Sequence, residues 1–277
     1  MAGRGAAPAL HVIHGGATPS MAAKRGGQAD AEVSLLGLEL ANLTLPEAAA
    51  WIAARPASAA FEYVVTPNAD HFVRLARDPL VRAVYQGALL RLLDSRVVSG
   101  LARLLRLPVP PVVPGSDLTA HLLAHHLAPG ERVTIIGLGA DWVPALMARE
   151  RLAEPAHHEP PMGFESDPAA MEAVVAFVRA HPARLVFLAV GSPRQEYLAA
   201  RLAAADGITG TGLCIGASLD FLAGARRRAP MPMRRLGLEW LFRLACEPRR
   251  LAGRYLWRAP AIVGLLLRQW LAYRKLP

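Results

Sequence analysis

The stretch RVTIIGLGADWVPALMARERL, residues 132–152, decides the fold. A short apolar, β-branched run ends in a glycine turn and gives way to a helical stretch. RLVFLAVGSPRQEYLAARLAA, residues 184–204, repeats the plan. Working outward, FEYVV (61–65) reads as a buried strand, followed by the loop TPNAD and a helix through HFVRLARD. ALLRLLD (88–94) contains a further strand, and GLCIGASLDFLAG (212–224) a last strand and loop. Strands alternating with helices predict an α/β fold: a Rossmann-like, mostly parallel sheet with helices on both faces. No period of 20–50 residues repeats, so a solenoid is excluded.

After Gly224 the strand signals stop. The expected organisation is therefore a Gly/Ala/Pro-rich leader (1–30), an α/β core (31–225) and a basic, amphipathic helical appendage (226–277). A chain of 277 residues with 53% hydrophobic and 19% charged residues is long and apolar enough for one sizeable core. Its net charge of +9 is unevenly placed. Residues 226–277 hold thirteen Lys/Arg against Glu239 and Glu247, a local +11 that leaves −2 for everything before them. Such a segment predicts an anionic partner: phosphate, nucleic acid or lipid headgroups.

Two cysteines, Cys214 and Cys246, suggest neither a disulfide framework nor a metal site and fit a reducing cytoplasm. The leader has no continuous apolar region of a secretory signal, and no window reaches the length of a spanning helix. The late run APAIVGLLL (259–267), closed by Arg258 and Arg268, suits a helix lying in a membrane surface.

In open α/β sheets ligands bind beyond the carboxyl ends of the strands. That rule singles out Thr66, Asn68, Asp94, Gly137, Gly139, Gly191 to Gln195, and Asp220. GLGADW resembles a dinucleotide fingerprint without its third glycine, Trp142 standing there, so a tight turn with Asp141 capping the helix is the simpler reading. In GSPRQE, Ser192, Pro193 and Gln195 read as a capping box with proline at the first helical position. The same N–H groups beside Gly191 also suit a diphosphate, and both readings stay open. Thr66 and Asp94 are each explained by helix capping alone, although Asp94 follows an apolar run where a desolvated carboxylate can serve as a base. His121 and His125 share a helical face but lack a third ligand, which favours a plain surface helix. No Asp-x-Asp pair occurs anywhere. In the tail, Arg243, Arg250 and Arg254 would share one face of a continuous helix, which Pro248 is placed to break. Trp240, Phe242, Tyr255 and Trp257 interleave with the arginines, a pattern suited to a membrane interface.

Together TPNADHFVRLARDP, PGSDL, VGSPRQE and GASLDFLAGARRRAP with LGLEWLFRLACEPRR resemble the WecG/TagA/CpsF glycosyltransferases, glycosyltransferase family 26. The resemblance implies an inverting transfer without metal or cofactor. The sugar moves from a UDP-sugar donor, of the N-acetylmannosamine, derived uronic acid or glucose class, to a polyprenyl-diphosphate-linked sugar acceptor. The reaction would serve surface-glycan or exopolysaccharide synthesis at an anionic membrane surface on the cytoplasmic side. It implies Asp94 as general base and Thr66 as the group orienting acceptor or base. Asn68, Gln195 and Asp220 would hold the nucleotide and its diphosphate, with Arg243, Arg250 and Arg254 reaching over the site. Two positions depart from the family pattern: Ser95 follows Asp94 in place of Gly, and Val112 stands in place of an Arg. Nucleic acid is not an expected partner, and homo-oligomerisation stays open. The rival readings are a nucleic-acid-binding protein using the tail and an inactive family member acting as an assembly partner, which Val112 suggests.

Overall fold

The structure, a computed structural model, describes residues 32–249 and 259–275. It opens with an antiparallel hairpin of β1 (Val33–Leu35) and β2 (Leu38–Leu40). The turn residues Leu36 and Gly37 both take left-handed φ values, +55° and +75°, as a two-residue hairpin turn requires.

The main sheet contains β3 (Glu62–Val65), β4 (Leu90–Arg91), β5 (Thr134–Gly137), β6 (Ala156–His158), β7 (Leu185–Ala189) and β8 (Thr211–Cys214). Its order is β4-β3-β8-β7-β5-β6, and every neighbouring pair is parallel. The helices before, between and after these strands are α1 (Leu45–Ala53), α2 (Ala69–Leu75), α3 (Pro79–Gly87), α4 (Arg96–Leu104), α5 (Gly115–His125), α6 (Val143–Glu150), α7 (Pro168–Ala180), α8 (Arg194–Ala203) and α9 (Ser218–Ala223). Three more follow: α10 (Met231–Arg235), α11 (Glu239–Cys246) and α12 (Ala259–Tyr273). The α/β reading of the sequence is thus the fold. Its local signals are ordinary ones: α3 and α7 begin with Asp-Pro, where Asp78 and Asp167 accept the first-turn N–H groups and proline takes the first helical position.

Period-two alternation divides the core into two layers. Tyr63, Val65, Val186, Leu188 and Ile136 face α2, α3, α4, α7, α8 and α12. Val64, Leu185, Phe187, Ile135 and Leu213 face α1, α5, α6 and α9. The neighbours β3 and β8 therefore send their following helices, α2 and α9, to opposite faces of the sheet. A crevice opens between two such connections, at the carboxyl ends of the strands.

The segment after residue 225 is not free of the core. Ile262 and Leu266, one helical turn apart on α12, are fully buried in the layer that contains α2 and α4. Gln269 accepts the Leu36 N–H at 2.8 Å and donates to the Ser34 carbonyl at 3.2 Å, fastening α12 to the hairpin. Half of the late apolar run thus serves the core, while Val263, Leu267 and Leu271 form an exposed stripe. No helix among the described residues is long and apolar enough to cross a membrane.

This division of α12 yields a stability test. Leu266→Ala should destabilise the protein by about 2–5 kcal/mol, the range for emptying a buried leucine site. Leu267→Ala, one residue on and exposed, should move the thermal midpoint little. Equal shifts for the two variants would contradict the packing of α12.

Candidate active site

Three loops meet at the carboxyl end of β3 and β4, and backbone hydrogen bonds join them. The Asp94 N–H donates to the Pro67 carbonyl at 2.9 Å, and the Val113 N–H donates to Leu93 at 2.8 Å. Leu93 and Val112 form a parallel bridge. The segment PVVPG is in this way laid beside Asp94, and the Gly115 N–H reaches the Asp94 carboxylate at 3.3 Å. A Cβ on Gly115 would lie 2.9 Å from Thr66 Oγ1, so glycine is what allows this approach. Asp94 and Thr66, far apart in sequence, come together here.

Neither residue caps a helix. Asn68 caps α2, its Oδ1 accepting from Asp70 and His71, and Ser95 caps α4 by accepting from Val98. Ser95 thus takes the capping role and leaves the Asp94 side chain to the cavity. Burial pushes the Asp94 carboxyl up to about 7; the Gly115 N–H opposes this, Glu239 adds to it, Arg243 opposes and Asp117 adds.

The cavity above these residues measures about 830 Å³, within the range of small-molecule sites. Its walls include Thr66, Asn68, Asp94, Gln195, Asp220 and Arg243. Gly191 also lines it, whereas Gly137 and Gly139 do not. Gly137 is needed because a Cβ would fall 2.8 Å from the Ala189 backbone of the adjacent strand. The polar groups of its turn are already occupied: His157 Nε2 lies 2.9 Å and 2.8 Å from the Gly137 and Leu138 carbonyls, and Glu159 accepts the Ala140 N–H at 3.0 Å. Asp141 does not cap α6, whose preceding turn is a short 3-10 helix.

The capping box expected in GSPRQE is not formed. Helix α8 starts at Arg194 without a side-chain cap. Ser192 Oγ instead accepts from Arg74 Nη1 at 2.9 Å. Gln195 is turned inward and buried, its Oε1 accepting the Gly216 N–H at 2.8 Å. On α9, Asp220 pairs with Arg226 at 3.2 Å, and its carboxyl is held above the ordinary value by burial, with Arg226 opposing.

The segment after residue 225 closes one side. Arg228 and Arg234 both reach Asp117, at 2.8 and 3.2 Å, and Arg226 also reaches Glu247 at 3.2 Å. Arg243 lies over the Phe221 ring at 5.5 Å, a cation–π distance. Helix α11 ends at Cys246, before Pro248. Arg250 and Arg254 lie outside the described residues. Sequence reading missed Arg74, Arg226 and Arg234 on the cavity wall, and Gly115 as the hinge of the site. Arg74 carried one local signal, its i,i+4 pairing with Asp70 at 3.1 Å. Among the described residues no group of three or more His, Cys, Asp or Glu could hold a metal ion, His121 and His125 included.

The sequence model of the Glycosyl transferase WecG/TagA/CpsF family matches residues 33–276, nearly the whole chain. The chain belongs to this family. Its activity is accordingly that of a glycosyltransferase, and the cavity at the sheet's carboxyl edge is the candidate site of transfer. Membership in the WecG/TagA/CpsF family also frames the second departure: Val112 lines the cavity and bridges to Leu93, and Arg74, Arg96, Arg194, Arg226, Arg234 and Arg243 supply the cations around it.

The raised Asp94 carboxyl has a consequence for stability. The folded state holds the proton up to about 7, against an ordinary value of 3.8, so ionising Asp94 disfavours folding. The penalty is absent below the lower value, grows between the two and is constant above the higher. Relative to wild type, Asp94→Asn should therefore gain unfolding free energy as pH rises from about 4 to about 7, then hold that gain. Denaturant melts at pH 4, 6 and 8 read this directly; a pH-independent difference would contradict it.

Proposed function

We propose that this family member is an inverting glycosyltransferase that moves a hexosyl group from a UDP-sugar to a polyprenyl-diphosphate-linked saccharide at an anionic membrane surface. The observation that carries the reading is the Asp94 carboxyl, pushed to about 7 by burial and facing an arginine-walled cavity of nucleotide-sugar size. A carboxylate whose proton affinity is matched to neutral pH is suited to general-base work. Asp94 takes the proton of the acceptor hydroxyl as that oxygen attacks the anomeric carbon. The bond from that carbon to the diphosphate breaks on the opposite face, so the configuration inverts. Thr66, beside Asp94 across Gly115, orients the base or the acceptor. Asn68, Gln195 and Asp220 hold the nucleotide side of the donor.

The departing UDP accumulates negative charge. Arg243, with Arg74, Arg194 and Arg226 also lining the cavity, offers the charge-assisted hydrogen bonds that stabilise it. Arg250 and Arg254 are proposed to add to this set. Membrane docking is supported by the exposed stripe Val263, Leu267 and Leu271, by exposed Trp240 and Leu241, and by Arg268, Arg274 and Lys275 beside them in sequence. Each basic residue near an anionic surface contributes about 1 kcal/mol. The donor sugar is proposed to belong to the N-acetylmannosamine, derived uronic acid or glucose class, in a pathway of surface-glycan or exopolysaccharide synthesis on the cytoplasmic face.

A panel of UDP-sugars offered with a polyprenyl-diphosphate-linked sugar tests the reaction, with EDTA present because arginines carry the charge. Asp94→Asn should lower kcat by about 10²–10⁴-fold while UDP binding persists. In the wild type kcat/KM should rise with pH through about 7, because the base must be ionised, and Asp94→Asn should lose that limb. Wild-type turnover in the variant would remove Asp94 from the chemistry.

Docking has its own assay. Sedimentation with anionic vesicles should retain the protein at low salt and release it at high salt, since exposed charges are screened within about 8–10 Å. Leu267→Glu with Leu271→Glu should weaken retention without lowering the thermal midpoint. Undiminished retention would dissociate α12 from the membrane surface.

A further inference from the structure

Next to Gln195 lies a buried acid that the transfer chemistry does not use. Glu196 is 2% exposed. Its Oε1 accepts from the Tyr85 hydroxyl at 2.9 Å and from Gln195 Nε2 at 3.0 Å. Its Oε2 is buried with no hydrogen-bond partner among the described residues. A charged carboxylate in such a place is heavily penalised, whereas an uncharged carboxyl carries a far smaller cost. Burial indeed drives this carboxyl above its ordinary value, against the pull of Gln195, Tyr85, its own backbone N–H and Ser192.

The two neighbours give the Gln195 amide a single workable orientation. Glu196 Oε1 accepts only if Nε2 points to it, which turns Oε1 toward the Gly216 N–H. With the carboxyl proton on Oε2, the reversed amide would set a donor against a donor at Gly216 and an acceptor against an acceptor at Glu196 Oε1. Gly216 takes φ +55° at the start of the loop from β8 to α9, and Gly216, Ala217 and Asp220 line the cavity. Separately, the Cys214 thiol at the end of β8 donates to the Gln195 carbonyl at 3.6 Å, joining β8 to the first turn of α8.

We propose that Glu196 is a positioning residue: it orients the Gln195 amide so that Gln195 holds Gly216, fixing the loop after β8 against the nucleotide of the donor. It touches no substrate and acts through Gln195. The inference rests on reading the cavity as a nucleotide-sugar site, and it extends that reading to a residue beneath the cavity floor.

The test uses the full-length protein and three variants. Glu196→Gln keeps an acceptor oxygen at Oε1; Glu196→Leu and Glu196→Met remove it while filling most of the volume. Two readouts are taken: hydrogen exchange at the Gly216 amide, and the Kd for UDP with the donor and acceptor KM values. Glu196→Leu, or Glu196→Met if the former folds poorly by its thermal midpoint, should raise Gly216 exchange and weaken UDP binding about 10-fold, the effect of one lost hydrogen bond at a positioned group. Donor KM should rise in parallel, with acceptor KM unchanged. Glu196→Gln should restore all of these to within about 3-fold of wild type.

Unchanged Gly216 exchange and UDP affinity in the apolar variants would overturn the proposal. So would a Glu196→Gln variant as impaired as Glu196→Leu. A wild-type protein that does not bind UDP would refute the donor reading, while Gly216 exchange would still report on the positioning role by itself.

Discussion

The site depends on the approach of the Gly115 amide to Asp94 across Thr66. A side chain at 115 would meet Thr66 Oγ1 at 2.9 Å, so only glycine lets the start of α5 close on the loop after β3. The resulting hydrogen bond, 3.3 Å long, holds the Asp94 carboxylate without compensating its loss of water. A carboxylate receiving two or three good N–H bonds becomes a stronger acid; one that is buried with a single long bond becomes a weaker one. The nearest charges are mixed, Glu239 and Asp117 opposing Arg243, so they do not rescue the ionised form. Packing against Gly115 thus sets both where Asp94 stands and how tightly it binds a proton.

The uneven charge of the sequence acquires a structural meaning from its partners. Arg226, Arg228 and Arg234 are not simply solvated. They reach Asp220, Asp117, Glu239 and Glu247, joining the segment after residue 225 to the starts of α5 and α9. Asp117 belongs to the same PGSDL stretch as Gly115, so one short segment presents its first amide to Asp94 and its carboxylate to two arginines. Ion pairs with partial exposure are individually weak and open to exchange. Of these, Arg226 and Arg234 also line the cavity, where the diphosphate of the proposed donor would compete with their carboxylate partners.

The strands and their order of appearance were legible because apolar runs and glycine turns are local signals. FEYVV and RLVFLAV became β3 and β7 nearly as read. Asp94, Thr66 and Gln195 were legible only through the rule that ligands gather at strand ends, together with the family's motifs. What escaped depends on groups distant in sequence. Nothing local in GLGADW reveals that His157 and Glu159 occupy its polar groups. Nothing in GSPRQE reveals that Gln195 faces Gly216 rather than closing a capping box. The apolar run of α12 was read as one surface-seeking stretch, because sequence alone does not show that Ile262 and Leu266 have α2 and α4 to pack against. The β1–β2 hairpin was likewise missed, since its short strands are fixed by the Leu36–Gly37 turn and by buried Arg91, which donates to the Glu39 carbonyl on β2 and pairs with Glu32, just before β1, at 2.8 Å.

The cavity's two walls differ in the kind of interaction that holds them. Beneath the strand ends, Tyr85, Glu196, Gln195 and Gly216 form a buried chain of hydrogen bonds. In a low-dielectric interior such a chain is costly to break, because each separated group loses its partner without gaining water. The opposite wall, α10 and α11, is held by ion pairs of Arg226, Arg228 and Arg234 that retain contact with solvent. Water and added ions can replace those contacts, so opening that wall costs less than deforming the floor. A transferase gains from this asymmetry. In the proposed reaction the base and the nucleotide side of the donor need fixed geometry, since small displacements of reacting groups cost large factors in rate. In the proposed reaction, substrate must enter and UDP must leave past the arginine-lined wall. The buried network meets the first requirement, and the exchangeable arginine pairs meet the second.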